Sequence, residues 1–308
     1  MLVLGRKYKF TAKERLELKR KFGKFNIIRY TNKTPDEVLE ELNSHLDSKN
    51  LHTIILNTKA KVPNELIKYL TNLQFKKNIE LITIERFLEK YLYKCYIPDD
   101  FADLNYLQNI KPYSFFELFL KRVVDYAGVI AISFLTVPLM FYARYKIKKE
   151  SPGESIFKQA RVGVNGSEFE CFKFRSMILN AEESGAMFAS KDDPRVFKWG
   201  EVMRKTRIDE LPQLLNVFKG DMHLIGPRPE RKVWIEKFEK EIPYYHERHL
   251  VRPGITGWAQ VNYPYGANAY DAKQKLMYDL YYIKYWSLWL EFKIVWKTAV
   301  VIFKKRGL

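Results

Sequence analysis

A mixed α/β chain in two parts is what this sequence predicts: a small α/β domain followed by a mainly helical region seated at a membrane. Three observations carry the prediction. Short β-branched runs alternate with helix-spaced segments through the first hundred residues. An uncharged apolar stretch, residues 126–143, lies between basic flanks. Beyond it, prolines and glycines gather in blocks, which read as ordered loops around a site rather than as a linker.

Residues 26–30, 51–57 and 79–84 are the strand candidates of the first part, rich in Ile, Leu and Thr. Residues 34–46 and 64–73 carry apolar side chains at helical spacing, and Thr34-Pro35-Asp36 and Pro63-Asn64-Glu65 are suitable helix starts. Strands alternating with helices predict a parallel sheet over residues 1–110. No GxGxxG follows a strand and no metal-ligand spacing appears, so a structural, regulatory or dimerising role, including a homodimer, is expected here. Residues 1–30 hold ten basic and two acidic side chains, either a solvated face or a contact for anionic lipid.

A linker from Pro98 to Pro112 leads into the apolar stretch, and residues 111–149 are expected to form this linker and a membrane hairpin. The stretch is at the lower edge of the roughly 17–25 residues that a spanning helix needs. Pro138 inside it removes a helical hydrogen bond, so a break is expected there. Lys121 and Arg122 precede it; Arg144, Lys146, Lys148 and Lys149 follow it. Basic residues favour the cytoplasmic side. Two basic flanks therefore predict a re-entrant helix-break-helix that enters one leaflet and returns, ahead of a single crossing or a buried soluble helix. The N-terminus has no signal-peptide core, which predicts a cytoplasmic bulk. Cys95 and Cys171 stand alone and read as reduced thiols.

The net charge of +17 calls for an anionic partner: nucleic acid, a lipid surface or phosphorylated substrates. The 47% hydrophobic content excludes a disordered chain, and a mean hydropathy of −0.33 excludes a multi-span membrane protein.

Chemistry concentrates in residues 150–308. Asp209 reads as the N-cap of a helix with Pro212 in its first turn and Gly220 as its stop. Arg204, Lys205 and Arg207 stand just before the carboxylate pair Asp209–Glu210. Cations, a helix start and paired carboxylates suit a divalent metal with a diphosphate, and thus phosphoryl transfer. A carboxylate can also attack phosphorus and form an acyl phosphate. In Gly226-Pro227-Arg228-Pro229, two prolines fix the backbone around an arginine suited to bidentate phosphate binding. Arg161, Lys173, Arg175 and Arg195 are further phosphate-binding candidates. His246 and His249 share a helix face but lack a third ligand, so no metal is expected on them. Residues 270–308 interleave aromatics with lysines, a pattern of interfacial helices.

Taken in order, these blocks resemble the bacterial sugar transferase family of monotopic polyprenyl-phosphate phosphoglycosyl transferases. The resemblance runs from about Phe115 to Leu308. It rests on the segments 121–125, 159–163, 172–177, 207–213, 220–229, 252–261 and 279–283. It implies transfer of a sugar 1-phosphate from a UDP-sugar to polyprenyl (undecaprenyl) phosphate, with Mg²⁺ held at Asp209 and Glu210. Asp209 matches the family nucleophile, which carries the phosphosugar as an aspartyl phosphate after UMP leaves. Glu210 matches its catalytic companion and Arg228 the phosphate-binding arginine. The implied location is the cytoplasmic face of the bacterial inner membrane, in contact with its lipid. The implied role is to initiate exopolysaccharide, O-antigen or glycoconjugate assembly, as in the longer family members. Nucleic acid recedes as a partner; a non-catalytic basic scaffold on the membrane is the alternative. Residues 1–110 resemble, in reduced form, the Rossmann-like (flavodoxin-like) domain that follows the transmembrane helices of long members. Two positions depart from the family pattern. Val137 precedes Pro138 where Ser is usual, with Thr136 offering a hydroxyl instead, and His223 stands where Ser is common.

Overall fold

The computed structural model describes residues 1–28, 33–46, 51–58, 62–99, 110–181, 193–263, 266 and 268–303. The chain divides into two compact units, Met1–Tyr96 and Ile97–Leu308, so the division falls earlier than residue 110.

In the first unit, β1 (Leu2–Leu4), β2 (Asn26–Ile28), β3 (Thr53–Leu56) and β4 (Glu80–Thr83) form a parallel sheet in the order β2-β1-β3-β4. Its central register sets Val3 against Ile27 and Ile55. The crossovers are α1 (Ala12–Phe22), α2 (Pro35–Leu46) and α3 (Asn64–Lys77); α4 (Ile84–Phe87) follows β4. Leu42 of α2 and Leu66 and Leu70 of α3 pack on Leu2, Leu4, Ile28 and Ile54 of the sheet. Both α1 and α2 start with capping boxes, Thr11 with Glu14 and Thr34 with Glu37, which satisfy free N–H groups of the first turn. Strand β1 is absent from the sequence expectation. Three residues give too little periodicity to read, yet they form an interior strand of the sheet.

The second unit opens with α5 (Phe115–Glu150), 36 residues started by a Ser114–Glu117 capping box. At 1.5 Å per residue it is about 54 Å long. It runs on through Pro138, so the break expected there is not an interruption of the helix. Proline removes one N–H, and the bonds of the neighbouring turns carry the helix past it. Thr136 donates its hydroxyl to the Ile132 carbonyl at 2.8 Å, one turn back. The packing also holds the helix straight-through, because its sheltered residues recur every three or four positions. Lys121, Asp125, Val129, Ile132 and Thr136 lie before Pro138, and Met140, Ala143 and Ile147 after it. Val129 and Ile132 pack with Leu214, Val217 and Met222; Met140, Ala143 and Ile147 pack with Phe174 and Met203.

β5 (Ile156–Val162) and β6 (Glu168–Phe174) form an antiparallel hairpin, with Arg161 opposite Phe169. After α6 (Lys198–Thr206) come a 3₁₀ turn (Ile208–Gln213), α7 (Leu214–Lys219) and β7 (His223–Ile225). Then follow α8 (Lys232–Glu241), a second 3₁₀ turn (Tyr245–Leu250), β8 (Gly254–Thr256) and α9 (Trp258–Asn262). The C-terminal aromatic segment is two helices, α10 (Ala269–Lys284) and α11 (Leu288–Phe303). β7 pairs in parallel with β8, and glycine makes the approach feasible. A Cβ on Gly254 would sit 2.0 Å from the Gly226 nitrogen, and one on Gly257 2.1 Å from the Gly226 oxygen. Two glycine-proline motifs far apart in sequence thereby become one loop platform.

His223 also finds its reason. Burial pushes its imidazole below the usual range, so the neutral ring donates Nδ1–H to Asp125 Oδ2 at 2.5 Å. The Leu224 N–H adds 2.9 Å to Asp125 Oδ1. Lys121 pairs with Glu291 of α11 at 2.6 Å, and Tyr282 and Trp286 both donate to that carboxylate at 2.8 Å. The start of α5 is thus bolted to β7, α10 and α11 by buried polar and charged groups.

Candidate active site

Asp209 is not a helix cap. Arg207 turns the chain with a left-handed backbone (φ 62°), and Asp209 and Glu210 lie in the 3₁₀ turn that follows. Gly220 is the stop that the sequence predicts, at φ 93°. The turn is anchored through Ile208, which packs against Ala143, Ile147, Phe174 and Met203.

Glu210 is buried and tied down. Its Oε1 accepts from Arg228 at 2.9 Å and from Arg207 at 3.3 Å. Asp209 has the opposite situation: its Oδ1 is buried and has no hydrogen-bond partner. The adjacent carboxylates are driven apart electrostatically. Burial, then the charge of Glu210, pushes Asp209 above the usual carboxylate range. Burial also opposes charge on Glu210, but Arg228, Arg207 and Lys173 overcome it and hold Glu210 below that range. Two neighbouring acids with divergent environments take different roles.

Arg228 is held from behind. Its carbonyl accepts from Arg248 at 2.9 Å, while Arg248 pairs with Asp279 of α10 at 3.0 Å and donates to the Tyr245 hydroxyl at 2.8 Å. Arg161 reaches the neighbouring Pro229 carbonyl at 3.2 Å. The Glu210 charge raises the Arg228 guanidinium further above its ordinary value. Burial lowers Lys173, with the Arg228 charge adding to it and the Glu210 charge opposing it.

All of this surrounds a cavity of about 490 Å³. Asp209, Glu210, Arg228, Arg207, Lys173, Arg175 and Arg161 line it together. Arg175, however, uses its guanidinium mainly on the loop before β5, donating to the Glu154 carbonyl at 2.7 Å, to Ser151 Oγ at 2.5 Å and to the carbonyls of Ser151 and Pro152, and also to the Met177 carbonyl after β6. Arg195 is not brought to the cavity. It grips Asp193 at 2.8 and 2.6 Å and the Ala181 carbonyl at 3.0 Å. Sequence reasoning passed over Arg248, Lys275 and Asp279 of the cavity wall. Asp279 heads the segment 279–283 singled out above, but its pairing with Arg248 joins two elements that no spacing connects.

A helical apolar surface lies elsewhere on this unit. Among the described residues, α5 is the one helix long and apolar enough to cross a bilayer. Its outward side exposes Phe115, Phe119, Ile130, Phe134 (83%), Leu135 and Phe141. Phe218 of α7, itself exposed, meets Tyr126 ring to ring at 5.9 Å. α11 adds exposed Trp289, Phe292 and Trp296.

Comparison with known proteins places this arrangement. The family profile of the bacterial sugar transferases matches residues 116–305. Over 185 residues the chain is 53% identical to a UDP-N-acetylgalactosamine-undecaprenyl-phosphate N-acetylgalactosaminephosphotransferase of Aeromonas hydrophila, covering 60% of this chain and 44% of that protein. It is 38% identical over 204 residues to an undecaprenyl-phosphate galactose phosphotransferase of Salmonella typhimurium, covering 61% and 41%. It is 40% identical over 181 residues to a UDP-glucose:undecaprenyl-phosphate glucose-1-phosphate transferase of Caulobacter vibrioides, covering 58% and 68%. The chain thus spans less than half the length of the first two relatives. With the profile covering well over half of its residues, the chain belongs to the bacterial sugar transferase family.

Proposed function

We propose that this chain transfers a sugar 1-phosphate from a UDP-sugar to undecaprenyl phosphate through a covalent intermediate on Asp209. The observation that carries the reading is the unpartnered Asp209 Oδ1 beside an arginine-clamped Glu210 in a cavity rich in cations. In the first step a carboxylate oxygen of Asp209 attacks the β-phosphorus. The bond from that phosphorus to the bridging oxygen breaks, and UMP leaves with the electron pair. In the second step a phosphate oxygen of the lipid attacks the same phosphorus, and the Asp209 carboxylate departs. Arg228 neutralises the charge of the transferring phosphate, work on which phosphoryl transfer largely depends. Glu210, held ionised, keeps the Arg228 fork in place.

The donor set fits Mg²⁺. Asp209 Oδ1 lacks a partner, and Glu210 has only its Oε1 engaged by the arginines. Hard oxygen ligands of this kind, completed by substrate phosphates, suit that ion. Asp209 and Glu210 would hold it, and it would supply charge neutralisation on the diphosphate when bound.

The membrane seat is part of the same proposal. Because α5 packs along one side from Lys121 to Ile147 on a single unit, both of its ends belong on one side of the bilayer. The exposed aromatics of α5, α7 and α11 then meet the lipid of the inner membrane from its cytoplasmic face. The parallel order of the N-terminal sheet supports a reduced Rossmann-like accessory unit.

The test is UMP release from a panel of UDP-sugars mixed with undecaprenyl phosphate, starting with UDP-N-acetylgalactosamine. One sugar should be preferred, and Asp209→Asn should abolish the release. Full turnover by that variant would remove Asp209 from the reaction.

A further inference from the structure

One cluster of metal-binding side chains takes no part in the chemistry above. Glu239 lies in the last turn of α8, and His246 and His249 lie in the 3₁₀ turn Tyr245–Leu250. Side chains three apart in a 3₁₀ turn stand on the same side, which brings the two imidazoles together. Their rings meet at 5.2 Å, and His246 Nδ1 is 3.1 Å from Glu239 Oε1. One ligand atom from each of the three residues lies within 4.8 Å of the other two. His249 is only 6% exposed, and its buried Nδ1 has no hydrogen-bond partner. A buried ring nitrogen left unpaired is costly and calls for a ligand. His246 and Glu239 open the cluster to solvent, so an ion has a path to it.

We propose that Glu239, His246 and His249 form a site for a divalent transition metal of the zinc class. Two imidazoles and one carboxylate are a zinc ligand set with the fourth position left to water. Imidazole also discriminates against Mg²⁺ and Ca²⁺, which prefer oxygen. The sequence presents the two histidines without a third ligand; the turn back from α8 supplies it. An ion here ties the end of α8 to the turn that carries Arg248, and Arg248 donates to the carbonyl of Arg228. The site therefore lies apart from the carboxylate pair yet adjoins the support of the phosphate-binding arginine.

The experiment uses the tag-free full chain in detergent, stripped with chelator and kept in Mg²⁺ buffer. Calorimetric titration with ZnCl₂ should show one saturable equivalent at micromolar affinity or tighter. His246→Gln and Glu239→Gln alter side chains at the surface and leave the fold standing. Each should weaken binding by roughly tenfold or more, in line with losses known for altered metal sites. Co²⁺ in place of zinc should give the visible band of a tetrahedral site in the parent protein and not in the variants. Absence of saturable Zn²⁺ binding, or equal binding by parent and variants, would overturn the site.

Discussion

Asp209 and Glu210 differ by one methylene and one position, yet their surroundings assign them separate work. Glu210 is neutralised by two arginines, whereas Asp209 keeps a bare oxygen. This pair and Arg228 were legible in the sequence because motif residues next to one another stay next to one another. The supporting cations were less so. Arginine as a residue type says nothing about where its five donors go, and Arg175 and Arg195 spend theirs on loops. Arg195 holds Asp193 down to a pKa of about 2, chiefly through the side-chain hydrogen bonds. The sign follows from that depression. A carboxyl that loses its proton more readily when folded stabilises the fold above its unfolded value of 3.8, and the gain disappears as pH falls towards 2. Asp193→Asn should therefore cost on the order of 1–2 kcal/mol at pH 7. The difference from the parent protein should shrink progressively below pH 4, which thermal unfolding across pH will show.

Elements were read well where their periodicity is long and poorly where it is short. The alternation of strands and helices in residues 1–96 came through in part: β1, whose three residues carry no pattern, the charge-rich α1 and the short α4 were not read. Pro138 invited a break, but a packed stripe on both sides of it carries α5 through. Backbone contact between distant loops was the hardest to read. The glycine-proline blocks of β7, β8 and their flanking loops read as ordered loops around a site, and the fold adds that Gly226, Gly254 and Gly257 bring two backbones together. Gly254→Ala would force a methyl group against the Gly226 nitrogen, where no flexible side chain can yield. A loss of about 1–3 kcal/mol is expected, as for other overpacked sites, with a lower Tm in calorimetry. Activity should fall with it, because Arg228 is presented by the same platform.

At the scale of the whole molecule, the charge of +17 acquires two addresses, a cavity lined by cations and basic flanks beside an apolar helical face. The long helix determines how the second unit meets the bilayer. Single cysteines at the exposed positions Lys111, before that helix, and Lys149, in its last turn, should both react with an impermeant maleimide from the cytoplasmic side only. Labelling of the two from opposite sides would mean a crossing helix. The central claim is that this cavity moves a phosphosugar by way of its own aspartate. Intact-mass measurement of the full chain, mixed with its preferred UDP-sugar and Mg²⁺ but no lipid acceptor, tests it directly. The account predicts a gain of one sugar phosphate per chain, matched by one equivalent of UMP, cleared by added undecaprenyl phosphate and absent from Asp209→Asn. An unmodified mass, with UMP appearing only once the acceptor is present, would contradict it.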